Sequence, residues 1–372
     1  MKEPVKVLHV LFDLGSGGVE TMLYNYYSTM DRNIVHFDFL IHSDSQEIGL
    51  IERKVLNMGS KVYKVTPITK NLLKSSKEIV NIIMSNDYDI IHSHTKFFSC
   101  VPLIAAKFRK TKLKVSHSHS LGSKRGWLYN VFSYPFRMLT GSFSDYRFAA
   151  SNDAGRNLFG TKYKFEIFPN AIYCNNFLFS PQIREQERKI LNLNNEFLIG
   201  LIGRHDPVKN HLFALEIFKS VNERVNNTKL VFIGRENEDV TPKIKNKIKQ
   251  LGLEKSVLIK EPRDDIYNFY QGLDLLLIPS KSEGLGIVAI EAQVAGLRCL
   301  CSDMVPNEVD ITPLVNFLSL DCDYKLWVDK IIRYIEDDKF IRKSYFTDVS
   351  EQGYDVKEAT KKFEKFYVDS VV

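Results

Sequence analysis

The chain has 372 residues, 44% hydrophobic and 26% charged, with 51 Lys plus Arg against 45 Asp plus Glu for a net charge of +6. This ordinary globular composition excludes disordered, collagen-like and coiled-coil chains, and the length suits two domains that each bury a core. The opening Met-Lys-Glu-Pro lacks the features of a secretory leader, no charge-free apolar run approaches the roughly 18 residues of a membrane span, and the five cysteines are scattered, so a reduced, cytoplasmic chain is expected.

Apolar, β-rich runs recur along the chain with room for a helix between them. The first half gives Lys6–Leu14, His36–His42, Lys61–Val65, Asp89–His94, Lys114–His119 and Tyr146–Ser151. The second half gives Phe197–Arg204, Lys229–Arg235, Val257–Glu261, Leu273–Ser280, Arg298–Asp303 and Val315–Leu320. Helix-period stretches such as Val19–Met30, Ser76–Ser85, His211–Asn226 and Thr241–Gly252 lie between them. This alternation predicts two doubly wound parallel sheets covered by helices on both faces. The polar stretch from Tyr173 to about Glu196 is the expected linker, giving domains at 1–177 and 178–355, with a last helix from about Val356. In open parallel sheets ligands bind beyond the carboxyl ends of the strands, so the loops after each strand are where chemistry is expected.

The charge is uneven. Residues 1–177 hold 23 basic and 14 acidic residues, a balance of +9, whereas 178–372 hold 28 and 31, a balance of −3. Residues 101–150 alone hold nine basic residues against Asp145. Within 107–138, cations alternate with Phe108, Trp127, Tyr129, Phe132, Tyr134 and Phe136. That mixture suits contact with an anionic membrane surface, with Lys124 and Arg125 as the test positions. A basic solvated face over a core helix is the plainer reading. No nucleic-acid-binding module is present, so nucleic acid is not expected as a partner.

Three loops carry the candidate chemistry. The first strand ends in Gly15-Ser16-Gly17-Gly18, where Gly17 and Gly18 would let backbone amides approach a phosphate at a helix start. The spacing is not the dinucleotide fingerprint, and a simple tight turn stays open. The first strand of the second half is followed by Arg204 and, five positions on, Lys209, two cations that would reach one diphosphate. The third loop reads Glu283-Gly284-Leu285-Gly286 and opens an apolar helix holding Glu291. Carboxylates there suit sugar diols, and the amides of Leu285 and Gly286 suit a phosphate.

These residues resemble the retaining glycosyltransferases of family 4. The resemblance lies in the Glu283-x7-Glu291 block, in Arg204 with Lys209, and in the glycine loop at Gly15–Glu20. His117-Ser118-His119, Ser151–Gly160, Pro169–Ile172 and Glu291–Gly296 are similar to the subgroup that builds exopolysaccharides and capsules. Nearly the whole chain is covered. The resemblance implies the GT-B fold, two Rossmann-like domains facing a central cleft, with the last helix returning to the first domain. It implies a nucleoside-diphosphate sugar donor, a UDP-sugar by preference, and a polyprenyl-diphosphate-linked saccharide acceptor.

The same resemblance assigns Arg204 and Lys209 to the diphosphate, Glu291 to the ribose and Glu283 to the donor sugar. Gly17, Gly18, Gly284, Leu285 and Gly286 supply backbone contacts, and His119, or His117 beside it, meets the reacting sugar. The sequence departs from the family at Tyr173, where Asp is common, and at Glu261-Pro262 before Arg263, in a loop near the nucleotide base. His94 with His119 lacks a carboxylate or Cys at ligand spacing, and Asp87–Asp89 and Asp321–Asp323 read as strand-entry and helix-capping residues. No metal and no cofactor are therefore expected, the cations standing in for metal charge. A same-fold epimerase or phosphorylase and a non-catalytic sugar-nucleotide-binding subunit remain the alternatives.

Overall fold

The computed structural model describes residues 3–15, 17–119 and 127–371. The protein folds as two compact units, Met1–Ile172 with Gly353–Val372, and Tyr173–Gln352.

The first unit holds a seven-stranded parallel sheet of β1 (Val5–Leu11), β2 (Val35–His42), β3 (Val62–Val65), β4 (Ile90–Ser93), β5 (Leu113–Ser118), β6 (Tyr146–Ala149) and β7 (Glu166–Ile167). The spatial order is β3-β2-β1-β4-β5-β6-β7, so the chain switches direction between β1 and β4. Six strands were expected here. The seventh, β7, has two exposed residues, too few to leave an apolar signature. Leu8, Val10, Leu40 and Ile91 pack with Ile79 and Ile83 of helix Leu72–Ser85 on one face.

The chain returns to this unit at its end. Helix Val356–Asp369 is capped by the Asp355 side chain, which accepts from Lys357 N at 3.0 Å. Its buried residues Val356, Ala359, Thr360, Phe363 and Tyr367 follow helical spacing and form one stripe. That stripe lies on helix Gly18–Thr29: the Phe363 and Tyr26 rings are 5.2 Å apart and Thr360 meets Thr29 at 2.6 Å.

The second unit repeats the winding with β8 (Phe197–Ile202), β9 (Thr228–Ile233), β10 (Val257–Lys260), β11 (Leu275–Ile278), β12 (Arg298–Ser302) and β13 (Val315–Leu318), in the order β10-β9-β8-β11-β12-β13. Every residue of β11 is buried, as befits a strand paired on both edges and covered on both faces. Its core includes Leu215, Phe218, Leu230, Leu275, Leu300 and the fully buried Trp327. The unit starts at Tyr173 rather than at 178, because the short turn Cys174–Phe177 packs here: Phe177 lies 5.4 Å from the Tyr270 ring. Asp323 caps helix Tyr324–Ile335 by accepting from Lys325 N, whereas Asp321 bonds through its own amide to Ser319 Oγ. Asp87 and Asp89 pair with Arg109 and Lys112 at strand entry. Among the described residues, no helix is long and apolar enough to cross a membrane.

Candidate functional site

In the second unit the switch in winding falls between β8 and β11, and the loops after these strands are tied together by Lys281 N donating to Val208 O at 2.8 Å. After β8, Gly203 has φ +151°, and a Cβ on it would stand 3.0 Å from Lys209 Cε. Gly234, after β9, faces Gly203 so closely that a Cβ would lie 2.0 Å from its carbonyl oxygen. Glycine at these places lets two backbones and one lysine stem share the space.

Lys209 uses that passage. Its Nζ reaches Glu283 Oε1 at 2.6 Å, and Ser280 Oγ donates to the same oxygen at 2.6 Å. Both charged side chains are largely buried, 22% and 12% exposed. Arg204 is placed differently: its side chain is 66% exposed and its guanidinium pairs with Asp206 at 3.1 Å. The structure thus joins Lys209 to Glu283 and holds Arg204 on the surface of the same loop.

Helix Ile287–Val294 opens at Gly286, whose φ of +90° is left-handed, with Val305 Cγ1 3.0 Å from where a Cβ would be. Leu285 is buried beneath the loop. Along this helix Glu291 accepts a hydrogen bond from the fully buried Tyr270 hydroxyl. Burial strips its carboxylate of water and pushes the pKa up to about 7, against the pull of the Tyr270 bond. A carboxylate held this way gains from any ligand hydroxyl that replaces the lost water. On the loop before helix Ile266–Gly272, Arg263 is clamped by Glu187 at 2.7 and 3.0 Å and by Asp265 at 2.6 Å.

In the first unit the matching switch lies between β1 and β4. Helix Gly18–Thr29 starts at Gly17, which has φ −80°. Gly17 and Gly18 therefore adopt backbone open to any residue. The glycine loop is held from below: Glu52 N donates to Leu14 O at 3.1 Å and Ile51 N to Gly15 O at 3.3 Å.

Along these strands and β5, and just past their ends, stands a stack of imidazoles. His9 pairs with His92 across β1 and β4, and His94, His117 and His119 continue on the same face. His9 Nδ1 is 3.0 Å from His94 Nε2, and His94 Nδ1 is 2.8 Å from His119 Nε2. His92 Nδ1 is 2.6 Å from Tyr367 OH, and the His92 and His94 rings stack at 4.4 Å. His117 is 1% exposed with neither ring nitrogen hydrogen-bonded, whereas His119 is partly exposed. Of the two, His119 is the more exposed, although its Nε2 meets His94 and its Nδ1 is buried without a hydrogen-bond partner. Burial holds His9 and His119 down to about 3 and His92, His94 and His117 well below the ordinary 6.5, so all five are neutral.

His9, His92 and His94, and separately His94, His117 and His119, bring ring nitrogens within 4.8 Å of one another. His94 belongs to both groups and already uses both its nitrogens in imidazole hydrogen bonds, so ligation would break one. Sequence reasoning did not single out His9, Tyr270, Ser280, Asn170 or Tyr367. Each acquires its role through a partner brought to it by the closed fold.

Lys124 and Arg125 lie outside the described residues. The rest of that region forms helix Trp127–Phe143, packed on helix Cys100–Arg109. Trp127, Val131, Phe132 and Tyr134 are exposed along it, Trp127 at 71%, and Phe108 is exposed on the neighbouring helix.

Comparison with known proteins gives the family and the fold. The family described as "Glycosyl transferases group 1" matches residues 183–348, and "Glycosyltransferase Family 4" matches residues 16–175. EpsF of Bacillus subtilis (strain 168), named as a glycosyltransferase, is 30% identical over 363 residues, spanning 95% of this chain and 94% of that protein. The UDP-Gal:alpha-D-GlcNAc-diphosphoundecaprenol alpha-1,3-galactosyltransferase of Escherichia coli is 24% identical over 85% of this chain and 86% of its own. Anabaena HepE, solved in complex with UDP and glucose, superposes with a TM-score of 0.81 at 18% identity, over 97% of this chain and 99% of that one. With two doubly wound parallel sheets, the fold is GT-B.

Proposed function

The chain belongs to the glycosyltransferases of group 1 and family 4, and from that premise we propose that it moves a sugar from a UDP-sugar to a polyprenyl-diphosphate-linked saccharide during exopolysaccharide or capsule assembly, with retention at the anomeric carbon. The observation that carries the donor reading is the Lys209–Glu283 pair buried at the β8/β11 switch, with Glu291 on the next helix. Lys209 and Arg204 would neutralise the diphosphate as it leaves, with the amides that open helix Ile287–Val294. Glu291 would take the ribose hydroxyls, trading its Tyr270-supported burial for ligand hydrogen bonds. Glu283, oriented by Ser280 and Lys209, would hold the donor sugar, and a glutamate already engaged by a cation is poorly suited to act as a nucleophile.

The cations supply the charge that a divalent metal supplies in other transferases, so catalysis is proposed to be metal-independent. The leaving phosphate oxygen then acts as the base for the incoming hydroxyl on the same face of the sugar. The relative that acts on a diphosphoundecaprenol-linked acceptor supports a lipid-linked substrate, and the exposed Trp127, Val131, Phe132 and Tyr134 support docking at a membrane surface. The test is transfer from a panel of UDP-sugars to polyprenyl-diphosphate saccharides, with anomeric configuration read by NMR and EDTA in a parallel series. Transfer with retention that survives EDTA is expected. Sugar release without an acceptor, epimerisation, or loss of activity with EDTA would each overturn the corresponding part. Trp127→Ser with Phe132→Ser should abolish binding to anionic vesicles; unchanged binding would remove the membrane reading.

A further inference from the structure

Two helices meet at Glu291, and a third segment holds their ends. Helix Ile287–Val294 carries Glu291, and helix Ile266–Gly272 carries the Tyr270 whose hydroxyl donates to it. A helix leaves its last carbonyls without partners inside itself. Here the irregular segment around Arg342, between helices Tyr324–Ile335 and Phe346–Glu351, supplies them. Ser344 Oγ donates to Val294 O at 2.7 Å, and Arg342 Nε donates to Ala295 O at 2.8 Å. The approach is close: a Cβ on Gly296, at φ +65°, would lie 2.2 Å from the carbonyl oxygen of Lys343.

Arg342 also reaches the other helix. Its Nη2 donates to Tyr270 O at 2.8 Å, and its Nη1 donates to Gln271 O at 3.0 Å and to Leu273 O at 2.7 Å. The guanidinium lies 4.5 Å over the Phe179 ring. Its planar fork of N–H groups serves two helix ends at once, and its positive charge faces the negative end of both dipoles. Two of these contacts bear on Glu291. Ala295 follows Glu291 by about one helical turn. Tyr270 is held by Arg342 at its carbonyl and bonds Glu291 through its hydroxyl. Arg184 shares Gln271 O and Leu273 O, at 3.1 and 3.0 Å, so the end of the Tyr270 helix keeps a cap without Arg342. The tie from that end to Ala295 is made by Arg342 and not by Arg184.

We propose that Arg342 is a positioning residue for the donor site: by joining the C-terminal ends of the two helices it sets Tyr270 against Glu291 and aims the carboxylate at the ribose hydroxyls. The aim at ribose rests on the reading of Glu291 given above, whereas the clamp on Tyr270 and Glu291 does not. Arg342 acts through these two residues and not through contact with the nucleotide.

The test compares UDP with 2′,3′-dideoxy-UDP, which lacks the ribose hydroxyls, in calorimetric titrations of the full chain. The wild type is expected to prefer UDP by roughly tenfold or more. In Arg342→Gln that preference should fall to within about threefold, while affinity for dideoxy-UDP stays within about threefold of the wild type. Arg342→Lys keeps the charge at the helix ends but loses the fork, and should show the same loss, so the result does not hang on the folding of one variant. Tyr270→Phe added to Arg342→Gln should cost no further preference, since both act on one carboxylate. A second readout needs no ligand. In 13C spectra of protein labelled at glutamate, Glu291, assigned by its loss in Glu291→Gln, should titrate near 7 in the wild type. In Arg342→Gln it should titrate about one unit lower or more, because water reaching the loosened carboxyl outweighs the weakened Tyr270 bond, burial being the larger cause of the shift. An Arg342 variant that keeps the preference, or one that loses both nucleotides equally, overturns the proposal, and so does an unmoved Glu291 titration. If the wild type binds the two nucleotides alike, the ribose reading of Glu291 fails, and the titration decides the clamp by itself.

Discussion

The two units wind their sheets in the same order and place chemistry at the same point, β1/β4 in one and β8/β11 in the other, yet they fill it with opposite materials. The second unit buries a charge pair, Lys209 on Glu283, and a desolvated carboxyl, Glu291. The first stacks five uncharged imidazoles in that place. A doubly wound sheet offers a location and not a chemistry. Fixed charge suits a diphosphate, whose two negative groups must be matched. Neutral, desolvated donors suit sugar hydroxyls, which a stray charge would misorient.

The contrast breaks most severely at Lys209. Lys209→Ala leaves Glu283 without its cation, and kcat/KM for transfer should fall by roughly 10²–10³, with the larger part in kcat. A loss below tenfold in a steady-state assay would mean that Arg204 alone carries the diphosphate.

Acid should separate the units next. The folded state holds His9 and His119 at about 3, against 6.5 in the unfolded chain. Their contribution is complete above 6.5 and is lost as pH falls toward 3, by up to about 1.4 kcal/mol per histidine per pH unit. Urea melts at pH 7.5, 6.5 and 5.5, followed by hydrogen exchange, should show the first unit weakening fastest. The second unit also contains depressed imidazoles, His205 and His211, but only these two against six, His42 being depressed in the first unit as well. Equal weakening of both units would contradict the difference drawn here.

Glu291 has the opposite sign. Its folded pKa of about 7 lies above the unfolded 4.5, so its contribution is present below 4.5 and lost as pH rises through 7. Glu291→Gln should therefore stabilise the protein at pH 8 by on the order of 1–3 kcal/mol while weakening UDP binding. The stabilisation should shrink toward pH 5. A destabilised variant at pH 8 would show that the carboxylate is better solvated than its burial implies.

The smallest effects concern the glycines. Gly286→Ala, at φ +90° and against Val305, should cost about 1–2 kcal/mol in a thermal melt. Gly18→Ala, with no atom within 4 Å of the added carbon, should change stability by less than about 0.5 kcal/mol.

Much of this was readable along the chain. Strand–helix alternation gave both sheets, because buried parallel strands such as Leu275–Ile278 are apolar without interruption. Glu283, Glu291, Lys209 and His119 stood out because each breaks an apolar pattern or follows a strand end. Their supports did not stand out. Tyr270 lies 21 residues from Glu291, His9 lies 85 from His94, and Tyr367 lies 275 from His92. A tyrosine in an amphipathic helix or a histidine in a strand carries no mark of what it will meet, since only the closed fold supplies the partner. The domain boundary at 177/178 fell a few residues late for the same reason: Phe177 looks like linker until Tyr270 packs against it.

The most direct measurement is calorimetric titration of UDP into the wild type, Lys209→Ala, Glu291→Gln and His119→Ala. The division between the units predicts that UDP binds, that binding weakens at least tenfold in the Lys209 and Glu291 variants, and that His119→Ala binds UDP as the wild type does. Unchanged affinity in Lys209→Ala together with lost affinity in His119→Ala would contradict it.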